Sequence, residues 1–392
     1  MAAAVPQEEG YIVRHANLHR EMFPALAGND YVYLNTGSSG PPSYETIEAG
    51  HKADDLCSGP AYLEGPGFYA LQAELRERAR EAAARVIGSD PEEVALTQNT
   101  TQGMNLGVAS IDWREGDEVV STTTEHPGCL VPLHNLRGRC GVKVNLVSPP
   151  LTPEKIEAAI TPKTRLVALS HVDWTTGEVF PLAGICAIAR ERGILTLVDG
   201  AQSVGNIPVD APATGVDIYA FTGHKWVLGP EGIGALYVRP GLEVHSTNVG
   251  FLSLADHLAF DADGGYELRK GARRFEASTG SPALCAGFAA AAEAVYERGE
   301  LVYERILDRA ELLLELLSEM PRITLRTQRP AQSGLVSFEV DGLASKEVAE
   351  RLLEERFVLR YIPGARSYVR ASTHLFNTEA EIENLARTVG RL

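Results

Sequence analysis

Ile194-Leu195-Thr196-Leu197-Val198-Asp199-Gly200-Ala201-Gln202 is the stretch on which the fold turns. Its five apolar or β-branched residues read as a strand buried on both faces, and it ends in a carboxylate before small residues turn the chain away. Similar short runs lie on either side, at 93–97, 117–123, 142–148, 165–172, 217–221 and 233–238. Helical stretches at 153–160 and 182–192 separate some of them. Strands alternating with helices predict an α/β domain, a doubly wound and mostly parallel sheet covered on both faces, over residues 31–279.

The pattern changes after Ser281-Pro282. Helices at 283–298 and 301–319 lead into strands at 323–326 and 333–340. A helix at 345–356, short strands at 358–359 and 368–369 and a closing helix at 378–391 complete a smaller α+β domain, residues 280–392. Residues 1–30, with apolar Phe23 and Leu26, read as an arm that docks on one of the two domains.

The chain has 392 residues and a formal net charge of −16, with 44% hydrophobic and 22% charged residues. That balance is globular, and the length fits about two domains of roughly 150 residues. A phosphate-rich surface needs clustered Lys and Arg, so nucleic acid and anionic membrane are excluded as main partners in favour of a small molecule. The longest apolar run, near 283–295, is broken by Glu293, short of the roughly 18 residues of a membrane span. The first residues lack a basic segment followed by an apolar run, so a cytoplasmic protein is expected. Cys57, Cys129, Cys140, Cys186 and Cys285 are scattered, with neither disulfide nor metal-ligand spacing.

Ligands of open parallel sheets bind at the carboxyl ends of the strands. Asp199 lies at one such end, where capping of the next helix is the simpler alternative. After the 217–221 strand comes Thr222-Gly223-His224-Lys225-Trp226, and a lysine is the residue type that forms a Schiff base with an aldehyde cofactor. Thr100, Thr101 and Gln102 follow a strand and open a helix, where free N–H groups and the dipole favour a phosphate. His126 follows the next strand and presents a flat ring, or serves only as a structural histidine. A carboxylate, a lysine, a phosphate cradle and an aromatic ring are what pyridoxal 5′-phosphate requires. Asp199 would keep its pyridine nitrogen protonated, and Lys225 would carry it and move protons.

Four ordered motifs, Val198-Asp199-Gly200-Ala201-Gln202-Ser203, Phe221-Thr222-Gly223-His224-Lys225-Trp226, Arg274-Phe275-Glu276-Ala277-Ser278-Thr279 and Val369-Arg370-Ala371-Ser372, resemble the fold-type I, class V aminotransferase family. That family includes cysteine desulfurases, isopenicillin N epimerase and cystine C–S lyase. Residues 171–177 and 333–338 resemble the C–S lyase pattern in particular. The resemblance implies that Lys225 holds the cofactor, Asp199 meets the pyridine nitrogen, Gln202 the phenolic oxygen, and His126 stacks on the ring. It further implies a phosphate site of Thr100, Thr101, Gln102, Thr222 and His224, with Thr279 reaching across from a second subunit of a homodimer with shared active sites. Arg370, assisted by Arg360, would bind the substrate carboxylate.

Persulfide-forming desulfurases carry a cysteine on the loop before that arginine, and residues 354–369 contain none. The expected reaction is therefore β-elimination from cystine, cysteine or an S-substituted cysteine, giving a thiol or persulfide, pyruvate and ammonia. The alternative is an epimerase, aminotransferase or decarboxylating enzyme working through the same cofactor. Side-chain selectivity is expected from residues 33–38, 247–254 and 361–368. A nucleotide-binding scaffold is disfavoured, because neither a Gly-x-Gly-x-x-Gly turn nor a P-loop occurs.

Overall fold

A computed structural model describes residues 20–256, 259–364 and 367–392. Most of the predicted arm, residues 1–19, lies outside the described residues. Of the rest, Phe23 and Leu26 are buried against Leu228 and Phe376, one from each half of the chain.

The large sheet has seven strands: β2 Val94–Thr97, β3 Glu118–Thr122, β4 Lys143–Val147, β5 Thr164–Ser170, β6 Leu195–Asp199, β7 Ile218–Thr222 and β8 Gly234–Val238. Their order across the sheet is β2-β8-β7-β6-β5-β3-β4. Successive side chains point to opposite faces, and both faces are buried. Val167 and Leu169 enter one core with helices Pro66–Val86 and Leu182–Glu191, while Leu166 and Ala168 enter the other with Thr100–Ala109 and Pro127–Cys140.

One strand corrects the parallel series. β8 runs antiparallel to both neighbours, β2 and β7. Residues 223–233 contain no helix, and so short a link cannot make the crossover a parallel pair needs. The chain instead turns straight back from β7, with Lys225 in the turn.

The two helices expected at 283–298 and 301–319 form a single helix, Pro282–Ser318. An internal glycine costs about 1 kcal/mol against alanine and does not break a helix. Here Gly299 is bridged by a continuous buried stripe, Ala292, Val295, Val302 and Ile306. The helix enters the large-sheet core at Phe288 and Ala292, and a second core at Ala310, Leu313 and Leu317.

That second core lies under an antiparallel sheet ordered β12-β13-β10-β9, from Arg360–Ile362, Tyr368–Ser372, Leu335–Val340 and Ile323–Leu325. A two-residue strand, β1 Val32–Tyr33, pairs in parallel with β11 Phe357–Val358. The β12–β13 register sets Arg360 opposite Arg370.

A buried ion pair joins the parts around the site. Arg80 in helix Pro66–Val86 grips both oxygens of Glu276 at 2.8 and 2.9 Å, and Glu276 also accepts the backbone N–H of Leu96 in β2. Removing one partner strands the other charge in a low-dielectric interior. Glu276→Ala is expected to cost about 3–5 kcal/mol, read as a lowered midpoint in guanidinium denaturation.

Candidate active site

The carboxyl ends of β2, β3, β6 and β7 and the edge of the smaller sheet enclose a cavity of about 320 Å³. Thr100, Thr101, His126, Asp199, Gln202, Thr222, His224, Lys225, Arg360 and Arg370 all line it. Gln102 and Thr279 do not. Both line a neighbouring cavity beyond the start of helix Thr100–Ala109, and the Gln102 side chain accepts the backbone N–H of Gln98. Ser38 and Trp174 belong to the site without having been singled out one by one from sequence, although each lies within a stretch noted there.

Asp199 ends β6, and its Oδ1 accepts the N–H of Ala201 at 2.9 Å. Its other oxygen makes no hydrogen bond among the described residues. Burial raises its carboxyl above the usual carboxylate range, the Ala201 N–H and Lys225 opposing the shift. A protonated ring nitrogen would supply the missing cationic donor.

Lys225 sits in the β7–β8 turn, and its ammonium makes no hydrogen bond or ion pair among the described residues. Burial pushes it down from 10.5 to about 8; Asp199 opposes this, while Arg370 and Arg360 reinforce it. A substantial neutral fraction at physiological pH suits both attack on an aldehyde and proton transfer.

Gln202 is oriented by its neighbours. The Trp226 indole can only donate, so at 2.7 Å from Gln202 Oε1 it fixes that atom as the acceptor. Nε2 then donates to Gly37 O at 2.8 Å, which leaves its second N–H for a ligand. His126 caps helix Pro127–Cys140, its Nδ1 accepting the N–H of Gly128 at 3.0 Å. Burial, and then the positive Lys225, Arg360 and Arg370, push its imidazole down to about 4, so the ring is neutral.

At the N-terminus of helix Thr100–Ala109, Asn99 caps through the Gln102 N–H, while the hydroxyl of buried Thr100 has no partner among the described residues. Thr222 Oγ1 and His224 Nδ1 lie 2.7 Å apart. At the opposite end the Arg370 guanidinium is wholly buried, donating to Trp174 O at 2.7 Å and Ser38 Oγ at 3.2 Å. Arg360 reaches the same Ser38 oxygen at 3.2 Å, and Arg370 Nε is left without a partner. No carboxylate among the described residues pairs with Arg370; burial and Arg360 disfavour its charge, which Asp173 supports. Two guanidiniums converging on one hydroxyl suit a carboxylate, which can take two charged donors at once.

These open groups fit pyridoxal phosphate with an amino-acid carboxylate beside it: an unpaired anion, a spare amide donor, an orphaned hydroxyl at a helix N-terminus, and an unpartnered guanidinium nitrogen. Cys129, beneath the site, is fully buried, and burial raises its thiol well above the ordinary range, which leaves an inert group.

The Lys225 shift has a definite sign. The amine is mostly protonated below pH 8 and mostly neutral above it, so its acylation rate in the cofactor-free protein should rise about tenfold per pH unit up to pH 8 and then level off. Arg360→Gln should move that midpoint upward. Mass-spectrometric mapping of Lys225 modification against pH reads both, and a midpoint near 10.5 would contradict them.

A family model described as aminotransferase class-V matches residues 66–385. Isopenicillin N epimerase of Streptomyces clavuligerus is 31% identical over 92% of this chain and 94% of its own. A cysteine desulfurase of Salmonella agona is 31% identical over 95% of this chain and 97% of its own. Among solved structures, the cystine C–S lyase C-DES in complex with its product cysteine persulfide superposes with a TM-score of 0.85, 33% identity, and coverage of 94% and 99%. A lysine-to-alanine mutant of C-DES, with glycine covalently linked to the PLP cofactor, gives 0.86, 32%, and coverage of 95% and 98%. No helix among the described residues is long and apolar enough to cross a membrane. On this shared scaffold, the chain belongs to the class-V aminotransferase family of pyridoxal 5′-phosphate-dependent enzymes.

Proposed function

We propose that the chain catalyses β-elimination from cystine, cysteine or an S-substituted cysteine, releasing a thiol or persulfide together with pyruvate and ammonia. When bound, pyridoxal phosphate supplies the electron sink that lets a proton leave Cα. Lys225 would hold the cofactor and would be the base that takes that proton. Its lowered basicity supports the role, since a base near neutrality both accepts and returns protons readily. Asp199 would pair with the pyridine nitrogen, Gln202 would donate its spare N–H to the phenolic oxygen, and His126 would cover the ring. Thr100, Thr101, Thr222 and His224 would hold the phosphate, and Thr279 of a second copy would complete that end; Gln102, whose side chain turns to the Gln98 N–H in the neighbouring cavity, would not. Arg370 and Arg360 bind the substrate carboxylate.

Elimination is favoured over sulfur transfer by the chemistry of the β12–β13 hairpin. No cysteine occurs from 354 to 369, and Cys57, Cys129, Cys186 and Cys285 are buried, while half-buried Cys140 ends helix Pro127–Cys140. No thiol on the hairpin is available to receive the sulfur, which leaves as a thiolate or persulfide anion. Lys225 then protonates it.

Purified enzyme incubated with cystine or S-substituted cysteines should form pyruvate; exchange of the Cα hydrogen with solvent deuterium without pyruvate would favour epimerisation instead. Lys225→Ala should lower turnover about 10²–10⁴-fold with the fold unchanged by circular dichroism. Arg370→Gln should act mainly on KM, raising it roughly 10- to 100-fold through the loss of a charged hydrogen-bonding partner.

A further inference from the structure

Resting on the reading that Arg370 binds the substrate carboxylate, we propose that Asp173 is a positioning residue for that arginine. It holds a countercharge one peptide group away, so that Arg370 stays charged and oriented while its remaining N–H groups stay free for substrate. The relay is a single peptide unit. Its carbonyl, Trp174 O, accepts Arg370 Nη1 at 2.7 Å, and its N–H, on Thr175, donates to Asp173 Oδ1 at 2.7 Å. A carboxylate on the N–H side of a peptide makes the carbonyl on the other side a better acceptor, since hydrogen bonds in series polarise one another. The same Oδ1 takes the Thr176 N–H at 3.0 Å and the Thr175 hydroxyl, while Oδ2 takes the Thr124 hydroxyl. Gly177 N closes the turn on Asp173 O at 2.9 Å. The N–H groups of the turn thus gather on Asp173, which is buried.

The carbonyls of the same turn meet the smaller domain. Those of Trp174, Thr175, Thr176 and Gly177 accept, in that order, from Arg370 and from the hydroxyls of Ser337, Thr327 and Ser333. Ser337 in β10 lies directly opposite Arg370 in β13, so neighbouring carbonyls of the turn engage neighbouring strands. The approach leaves no room for a side chain: a Cβ at Gly177, at φ +80°, would come within 2.7 Å of Leu335 O. Asp173 therefore fixes the face of the turn on which Arg370 rests.

The distance between the two charges has a chemical reason. A carboxylate paired directly with Arg370 would occupy the guanidinium fork that a substrate carboxylate needs. Placed behind a peptide, Asp173 engages only one of the guanidinium N–H groups, through Trp174 O; Ser38 takes a second, and Nε has no partner among the described residues. Burial and then Arg360 oppose the Arg370 charge, and Asp173 supports it. Asp173 does not itself line the cofactor cavity, whereas Trp174 and Arg370 do. Its influence on substrate therefore passes through the arginine.

Asp173→Asn removes the charge and keeps the turn: Oδ1 still accepts, and the new amide donates to the Thr124 hydroxyl, which rotates to accept. Calorimetry compares S-methylcysteine with its carboxamide, both titrated into Lys225→Ala protein loaded with cofactor, which separates binding from turnover. Asp173→Asn should weaken the carboxylate ligand about five- to tenfold and the carboxamide less than about twofold. Added to Arg370→Gln, it should cause no loss beyond that of Arg370→Gln alone. A second readout needs no substrate. Phenylglyoxal attacks the neutral guanidine, so mass-spectrometric mapping at pH 8 should find Arg370 modified severalfold faster once the Asp173 charge is gone. Asp173→Ser, whose hydroxyl can cap the same turn, is the second uncharged variant should Asp173→Asn not fold. Equal weakening of both ligands, full additivity with Arg370→Gln, or an unchanged modification rate would overturn the role of Asp173. If Arg370→Gln itself treats carboxylate and carboxamide alike while the modification rate rises as expected, the carboxylate reading of Arg370 falls and its coupling to Asp173 stands.

Discussion

The register of the central strands is the constraint from which the site follows. Ser170 in β5 pairs with Asp199 in β6, and Asp199 pairs with Ala220 in β7, so their carboxyl ends finish at one level. A slip of one residue would turn Asp199 toward a covering helix and invert every buried side chain of β6. Both faces are packed with apolar residues, so the penalty for such a slip is large. Precise placement of a carboxylate, a lysine turn and two helix N-termini thus comes from ordinary core burial. Helix Thr100–Ala109 lies especially close to the sheet, since a Cβ at Gly103 would approach Ala220 Cβ to 2.6 Å.

The same cavity concentrates positive charge within a chain of net charge −16. Among the described residues Arg370 is buried without a carboxylate partner, and half-buried Lys225 has no direct partner. In a medium of low effective dielectric these charges repel one another strongly. Burial first, and that repulsion after it, keep His126 neutral and Lys225 easily deprotonated. The arginines that fit a substrate carboxylate therefore also help lower the basicity of the lysine.

Strand ends were legible because short, continuous apolar runs stop abruptly at polar residues. Asp199, Thr222 and His126 each follow such a stop, and Arg370 lies within β13. Ser38 gave no comparable signal: its value comes from two arginines on β12 and β13 meeting it across more than 320 residues of chain. Trp174, two residues beyond a strand-like run, could have been found by its position after β5. Helices Tyr44–Ser58, Pro66–Val86 and Pro127–Cys140 were not read from sequence. The last contains Pro132 and has little one-sided apolar patterning, so tertiary packing decides it. The direction of β8 was misread because strand patterning carries no polarity; only the length of the connecting turn does.

The return from β7 to β8 ties the lysine to a distant part of the chain. Gly40 N donates to His224 O at 2.7 Å, a Cβ at Gly40 would come within 2.1 Å of Lys225 O, and Leu228 closes the turn at φ +60°. A leucine in that left-handed region is strained and persists only under surrounding restraint, here Phe23, Leu26 and Phe376 packed upon it. The N-terminal segment and the lysine turn thus form one cooperative opening unit. Amide protons of residues around 40 and around 228 should exchange together, at a rate set by how firmly the N-terminal segment is docked.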